Sequence, residues 1–180
     1  MDLRQHYSRF NTSSTPKPQA ITTALDVFHV QASILCAKAS DVEIWIRSGG
    51  HSFEGLSYVA QVPFVILDMF NLRSIDIDMP SETAWVQAGA TLGELYYKIA
   101  NMSSTHAFPA GICFTVGVGG HFSGGGYGVI LRQFGLSIDN IIDAQVVDAN
   151  GRVLDRQAMG EDLFWAIKGS DCLEIPWINK

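Results

Sequence analysis

Two glycine-rich stretches of this 180-residue chain each set one nucleophilic side chain beside open backbone. The first is Arg47-Ser48-Gly49-Gly50-His51-Ser52. The second runs from Gly111 past Cys113, Thr115, Val116, Gly117, Gly119 and Gly120 to His121, then through Ser123 and Gly124 to Tyr127 and Gly128. Glycine lets backbone N–H groups approach a phosphate, because no Cβ stands in the way. An imidazole and a thiolate can each bond to an electron-poor ring. The two stretches therefore suit a site that binds a flavin dinucleotide and tethers its ring at two points, His51 and Cys113.

Each residue also has a plainer reading. His51 alone would more often be a surface or capping histidine, and Cys113 alone a buried structural cysteine. His121 and Ser123 fit a pyrophosphate neighbourhood, and a structural histidine fits equally. The glycines could form a flexible loop, but a long structureless insert inside a compact domain is uncommon without function. The run does not match G-x-G-x-x-G, since Phe122 falls at the sixth place counted from Gly117. A Rossmann nucleotide site is therefore disfavoured, and there is no P-loop lysine.

The elements that must carry these stretches can be read from periodicity. Ala20 to Thr23 reads as a short strand. Asp26 is a candidate N-cap for a helix with apolar residues at Val27, Val30, Ile34 and Leu35. Val42 to Arg47 reads as a buried strand entering the first glycine turn, and Pro63 to Met69 as another. This β-α-β order predicts a small lobe with a parallel pair. Ser74 to Asp78 and Thr83 to Ala88 read as paired strands around Met79-Pro80-Ser81. Thr91-Leu92-Gly93-Glu94 is a capping box opening a helix to about Asn101. Gly128 to Phe134 is expected to be a short helix. Ile141 to Asp148 and Arg152 to Asp155 read as a hairpin turning at Asn150-Gly151, followed by a helix over Glu161 to Lys168. Trp45, Trp85 and Trp165 are expected in the core. Cys36 is expected to be a buried cysteine on the first helix. Glu94 and Glu161 read as helix-start carboxylates, and Asp139-Asn140 as a turn.

Composition narrows the function. With 47% hydrophobic residues the chain can bury a real core. A net charge of −6 without a basic cluster argues against a nucleic-acid partner. No apolar run approaches the ~20 residues needed to cross a bilayer, so no membrane partner is expected. Met1 to Phe10 lacks the apolar stretch of a secretory signal. Three cysteines are too few for a disulfide scaffold, and their spacing suits no zinc site. Asn11-Thr12-Ser13 and Asn101-Met102-Ser103 are N-glycosylation sequons.

From about Phe10 to Gly169 the chain resembles the plant berberine bridge enzyme-like FAD-linked oxidases of the vanillyl-alcohol oxidase superfamily, and among them most resembles the cannabinoid acid synthase group. Beyond the two glycine stretches, the resemblance is carried by Asn11 to Pro18, Phe53-Glu54-Gly55-Leu56-Ser57-Tyr58-Val59, Ala88 to Tyr97 and Gly160-Glu161-Asp162-Leu163-Phe164-Trp165-Ala166-Ile167, all in the family's order. Two departures stand out. Phe114 occupies the place where relatives usually carry proline, so the bond to flavin is more firmly expected at His51 than at Cys113. Ser52 stands where the nearest relatives often have aspartate.

The resemblance implies an α+β, two-lobed PCMH-type FAD-binding domain, a small β-α-β lobe beside a larger mixed or antiparallel lobe with flanking helices. Residues 1–18 would be an irregular lead-in, 19–72 and 73–169 the two lobes, and 170–180 a divergent tail with the look of a frameshift, altered splice or truncated gene. The family's substrate domain would be absent. FAD would be bonded at His51 and at Cys113, with Ile142 near the adenosine. Cys36 would have lost its disulfide partner in a missing N-terminal segment. Full-length relatives pass hydride from a small organic substrate to flavin and reduce O₂ to hydrogen peroxide, using a base in the part not present here. They are secreted or vacuolar, and a monomer is expected. Two other readings stay open: a catalytically inactive remnant, and a reductase of the same superfamily that holds FAD non-covalently.

Overall fold

The computed structural model describes residues 14–169. The lead-in with Asn11, and the tail with Cys172, lie outside the described residues. Three parallel strands, β1 (Ala20–Thr23), β2 (Glu43–Arg47) and β3 (Phe64–Asp68), form a sheet in the order β1-β3-β2. The expected parallel pair is thus a parallel triplet, because β1 also pairs with β3. The central strand is buried almost along its length, which explains its unbroken apolar text Phe64-Val65-Ile66-Leu67. Full burial of such a side chain stabilises by about 1.5–3 kcal/mol.

Helix α1 (Val27–Ala39) packs on this sheet. The Asp26 side chain accepts the His29 amide at 3.0 Å, as the N-cap reading requires. Val30, Ile34 and Ala37 are buried. Leu35 stays 47% exposed and lies against Gly151 at the tip of a distant hairpin. Cys36, expected in the core, is exposed, because it falls on the solvent side of the stripe that buries Ile34 and Ala37.

The strands β4 (Ile75–Asp78) and β5 (Thr83–Val86) form the expected antiparallel hairpin. Helix α2 (Leu92–Met102) begins with both halves of the capping box in place, and Arg73 pairs with Glu94. Leu92 and Leu95 bury against Ile75, Val86, Ala90, Ala110, Val118 and Phe122.

The second glycine stretch, for which a flexible loop is the plainer alternative, is partly helical. Val118–Ser123 is a short helix, α3, rather than loop. Burial of Val118 and Phe122 outweighs the poor helix propensity of Gly119 and Gly120. Gly119 permits that packing: a Cβ there would stand 3.0 Å from the Ala88 carbonyl. Helix α4 is shorter than expected, Leu131–Phe134, because Gly128 is pressed against the Ala110 carbonyl. A 3₁₀ turn, Ser137–Asn140, uses Asp139 and Asn140 side chains for its own backbone, as a turn reading requires.

The last hairpin pairs only β6 (Val146–Val147) with β7 (Val153–Leu154). Asp148 ties its turn by accepting the amides of Asn150 and Arg152. Helix α5 (Arg156–Ala166) is two segments parted at Gly160, where φ is 66°: a first turn capped by Asp155, and a second segment from Glu161, where the sequence predicts the helix to begin. Trp165 is 77% exposed, contrary to a core placement, because its neighbours Phe164 and Ile167 take the buried face. Trp85 also lies at the surface, whereas Trp45 packs on Ala60, Phe64 and Ile66.

Candidate functional site: two glycine loops in backbone contact

The first loop leaves β2 at Arg47, whose strand partner is Asp68 of β3. Both side chains are largely buried and joined by two hydrogen bonds, from Nε at 3.1 Å and Nη2 at 2.5 Å, to Asp68 Oδ2. The second Asp68 oxygen accepts the Phe70 amide at 3.0 Å. The Arg47 guanidinium also lies 5.3 Å from the centre of the Tyr58 ring. The Tyr58 hydroxyl donates to the Gly50 carbonyl at 2.9 Å. Gly50 has φ 69°, and a Cβ there would collide with that hydroxyl. The Ser48 hydroxyl donates to the Ala88 carbonyl. Arg47 and Ser48 therefore act as frame for the loop. Ser52 accepts the Leu56 amide at 3.2 Å and closes the following turn.

The second loop hangs from α2 and α3. Helices leave their first amides without intrahelical acceptors. In α2 two of these donate into the loop: Leu92 to the Val116 carbonyl at 2.9 Å and Gly93 to the Phe114 carbonyl at 3.0 Å. The Tyr96 hydroxyl donates to the Gly111 carbonyl at 2.7 Å. The Gly111 amide donates to His121 Nε2 at 2.9 Å. Burial holds the His121 imidazole below its ordinary pKa, which agrees with Nε2 acting as an acceptor. Burial raises the Tyr96 phenol.

The loops meet backbone to backbone. A Cβ on Gly49 would overlap the Gly117 amide, and a Cβ on Gly117 would overlap Ser48 Oγ and the Gly49 amide. At this crossing Thr115 Oγ1 lies 2.9 Å from His51 Nε2 and 3.7 Å from Cys113 Sγ. One hydroxyl thus stands between the two nucleophiles. Cys113 is exposed and His51 half-buried.

Of the residues predicted for the site, His51, Ser48, Gly49, Gly50, Cys113, Thr115, Val116 and Gly117 gather at this crossing. Gly111, Gly119, Gly120 and His121 flank it. Ser123 is buried, and its hydroxyl donates to the Gly119 and Gly120 carbonyls inside α3. Gly124 caps α3. The Tyr127 backbone lies beside Gly111 while its side chain is exposed. Gly128 packs on Ala110, and Ile142 is exposed at the surface. Asn101 is exposed on the last turn of α2. Sequence reasoning missed Asp68 and Gly93. A charged residue closing an apolar strand was the signal for Asp68. A glycine inside the capping box was the signal for Gly93.

The arrangement fits a flavin dinucleotide. The amides of Gly49 and Gly117 have no acceptor among the described residues, and they lie together at the glycine crossing. Neighbouring backbone amides without protein acceptors are the donors that phosphate oxygens use in such loops. The face of Gly120 is open, with no heavy atom within 4 Å of a built Cβ. No group of three or more metal-ligating side chains occurs among the described residues. No helix among them is long and apolar enough to cross a membrane.

Comparison with known proteins agrees with this geometry. Residues 18–156 match the FAD binding domain family, and the chain belongs to that family. Its curated relatives include berberine bridge enzyme-like proteins. The chain is 61% identical over 161 residues to berberine bridge enzyme-like 21 of Arabidopsis thaliana, covering 89% of this chain and 30% of that protein. Against berberine bridge enzyme-like 9 of the same plant it is 59% identical, covering 94% and 33%. Among solved structures, it superposes on the Arabidopsis berberine bridge enzyme-like protein 28 with a TM-score of 0.88 at 59% identity, covering 89% of this chain and 33% of that one. The berberine bridge enzyme of Eschscholzia californica gives 0.87 at 52% identity, with 89% and 32% covered. The fold is the mixed α+β, PCMH-type FAD-binding domain. The chain spans about a third of the length of these relatives.

Proposed function

We propose that this chain is the flavin-holding part of a plant O₂-dependent oxidoreductase, with FAD bonded at His51 and also at Cys113. The observation that carries the reading is the Thr115 hydroxyl set between His51 and Cys113 where two glycine loops cross. When bound, the flavin would accept hydride from an organic substrate and pass the electrons to O₂, giving hydrogen peroxide. The residues of this chain would bind and orient it. Gly49 and Gly117 amides would take the pyrophosphate. Arg47, Asp68 and Tyr58 would fix the His51 loop. Thr115 would orient the His51 ring. The substrate base and the roof over the substrate belong, in this reading, to the remainder of the relatives' length. Turnover of a cannabinoid or sugar by the 180 residues alone is therefore expected to be negligible.

The test is to express the chain with FAD, denature it in acid, and examine in-gel flavin fluorescence beside intact mass. Flavin retained through acid and abolished by His51→Ala is the expected result. Flavin that binds but is released by acid would replace the proposal with the non-covalent reductase reading. Failure to bind flavin at all would leave the chain a non-catalytic remnant.

A further inference from the structure

We infer that Gly93, in the first turn of α2, is a positioning residue that sets where the Cys113 thiol stands. The inference rests on the reading of Cys113 as a flavin anchor, but its geometry is independent of any bound group. A helix by itself disfavours glycine here, by about 1 kcal/mol relative to alanine. Nor does Gly93 adopt a left-handed backbone, as Gly50 and Gly126 do. What it provides is space. A Cβ on Gly93 would stand 2.8 Å from Phe114 Cβ and 2.9 Å from the Phe114 carbonyl oxygen, with the Phe114 Cα at 3.4 Å. Two of those atoms are backbone and the third is the root of a side chain, so none can swing aside.

The same Gly93 donates its amide to that Phe114 carbonyl at 3.0 Å, and Leu92 donates to Val116. The loop thus acts as the N-terminal cap of α2, and it can do so only because position 93 has no side chain. Two features make the loop the part that would yield. The end of α2 is locked by the Thr91–Glu94 capping box and by the Arg73–Glu94 ion pair. The Glu94 carboxyl keeps a lowered pKa although its burial acts to raise it, because the Thr91 amide and Arg73 outweigh that burial. The loop, by contrast, is exposed at Ile112, Cys113 and Phe114. Phe114 is bonded directly to Cys113. A shift of Phe114 therefore displaces the sulfur relative to Thr115 and His51.

The test compares the wild-type chain with Gly93→Ala and with Thr91→Ala. The second variant weakens the start of the same helix without adding a Cβ at the loop. Alkylation of the flavin-free proteins with iodoacetamide is followed by peptide mass mapping, with exposed Cys36 as internal reference. We expect Gly93→Ala to change the Cys113 rate several-fold relative to Cys36 and Thr91→Ala to leave the ratio unchanged. For protein expressed with FAD, protease digestion should give a flavin joining the His51 and Cys113 peptides in wild type. In Gly93→Ala the flavin should stay on the His51 peptide, with the Cys113 link reduced about tenfold or more. An unchanged alkylation ratio in Gly93→Ala would overturn the inference, as would equal changes in both variants. Should Gly93→Ala fail to fold, adding Phe114→Gly, which removes the Phe114 Cβ at 2.8 Å and frees its backbone to give way, must restore folded protein where adding Thr91→Ala does not, or the inference falls. Absence of flavin from wild type would sink the cofactor reading alone, since the thiol measurement stands without it.

Discussion

Replacing Asp68 by asparagine should destabilise this chain by about 3 kcal/mol, at the low end of the 3–5 kcal/mol seen when one partner of a buried ion pair is removed. The side chains of Arg47 and Asp68 are 5% and 12% exposed, so water cannot take over the lost interaction. Asparagine keeps the shape but not the charge. If its oxygen faces Arg47, its NH₂ group confronts the Phe70 amide, which now donates to Asp68 at 3.0 Å. If it faces Phe70, its NH₂ confronts the guanidinium. Either orientation loses a hydrogen bond and leaves a buried cation without a counter-charge. At roughly 2–4 °C per kcal/mol for a chain of this size, the melting temperature should fall by roughly 6–12 °C. Urea denaturation followed by tryptophan fluorescence would measure the change, with an unchanged m-value. A control pairs Asp68→Leu with Arg47→Met. Removing both charges should cost less than Asp68→Asn alone, because nothing charged is then left buried. A loss below about 1 kcal/mol for Asp68→Asn, or a double variant weaker than the single, would refute the claim that this pair frames the His51 loop.

Two further expectations concern stability. Burial depresses the His121 pKa below the ordinary value of 6.5, so the unfolded chain takes up a proton more readily than the folded one. Stability from this site is complete above about 6.5 and lost as pH falls towards the folded value; His121→Gln should flatten the fall in urea midpoint between pH 8 and 5, and an unchanged slope would remove His121 as its cause. Gly151 has φ 73°, and a Cβ there would stand 3.0–3.2 Å from three atoms of Leu35; Gly151→Ala should lose about 1–2 kcal/mol in the same denaturation assay, and a loss under about 0.5 kcal/mol would show that the hairpin tip tolerates a side chain.

The parts of this fold that could be read from the chain were those whose cause is local. Asp26 and the Thr91–Glu94 box announce helix starts because the capping atoms sit three residues from the amides they bind. The strand pairing β4–β5 follows from a short turn. The third strand of the parallel sheet is not legible from sequence, because β1 is joined to β3 only across the intervening α1 and β2. Cys36 and Trp165 depart from their expected core positions for a shared reason. An apolar residue one step off the buried stripe looks the same in sequence as one on it. The α3 helix was hidden because Gly119 and Gly120 argue against helix locally, and only the close approach of Ala88 makes glycine the right choice. The same holds for the candidate site. The residue types of His51, Cys113 and Thr115 were legible, but Asp68, Tyr58 and Gly93 matter through contacts 8 to 21 residues away in sequence.

The two nucleophiles are anchored from opposite sides. The His51 loop is held by the parallel sheet, through Arg47, Asp68 and Tyr58. The Cys113 loop is held by α2 and α3, through Leu92, Gly93, Tyr96 and His121. Each anchor places its own nucleophile, Gly93 and α2 the thiol and the parallel sheet the imidazole, so the distance between them depends also on how the two loops meet. The loops meet where Gly49 touches Gly117. A contact between two backbones has no rotamers with which to adjust, so it is stiffer than one between side chains. The proposed ring bonded at two points would need that stiffness, because an error of about 1 Å in either nucleophile would leave one bond unmade. Energetic effects of changes in the two loops should therefore couple across the crossing even though their anchors share no residue, since sites that share a backbone contact do not behave additively.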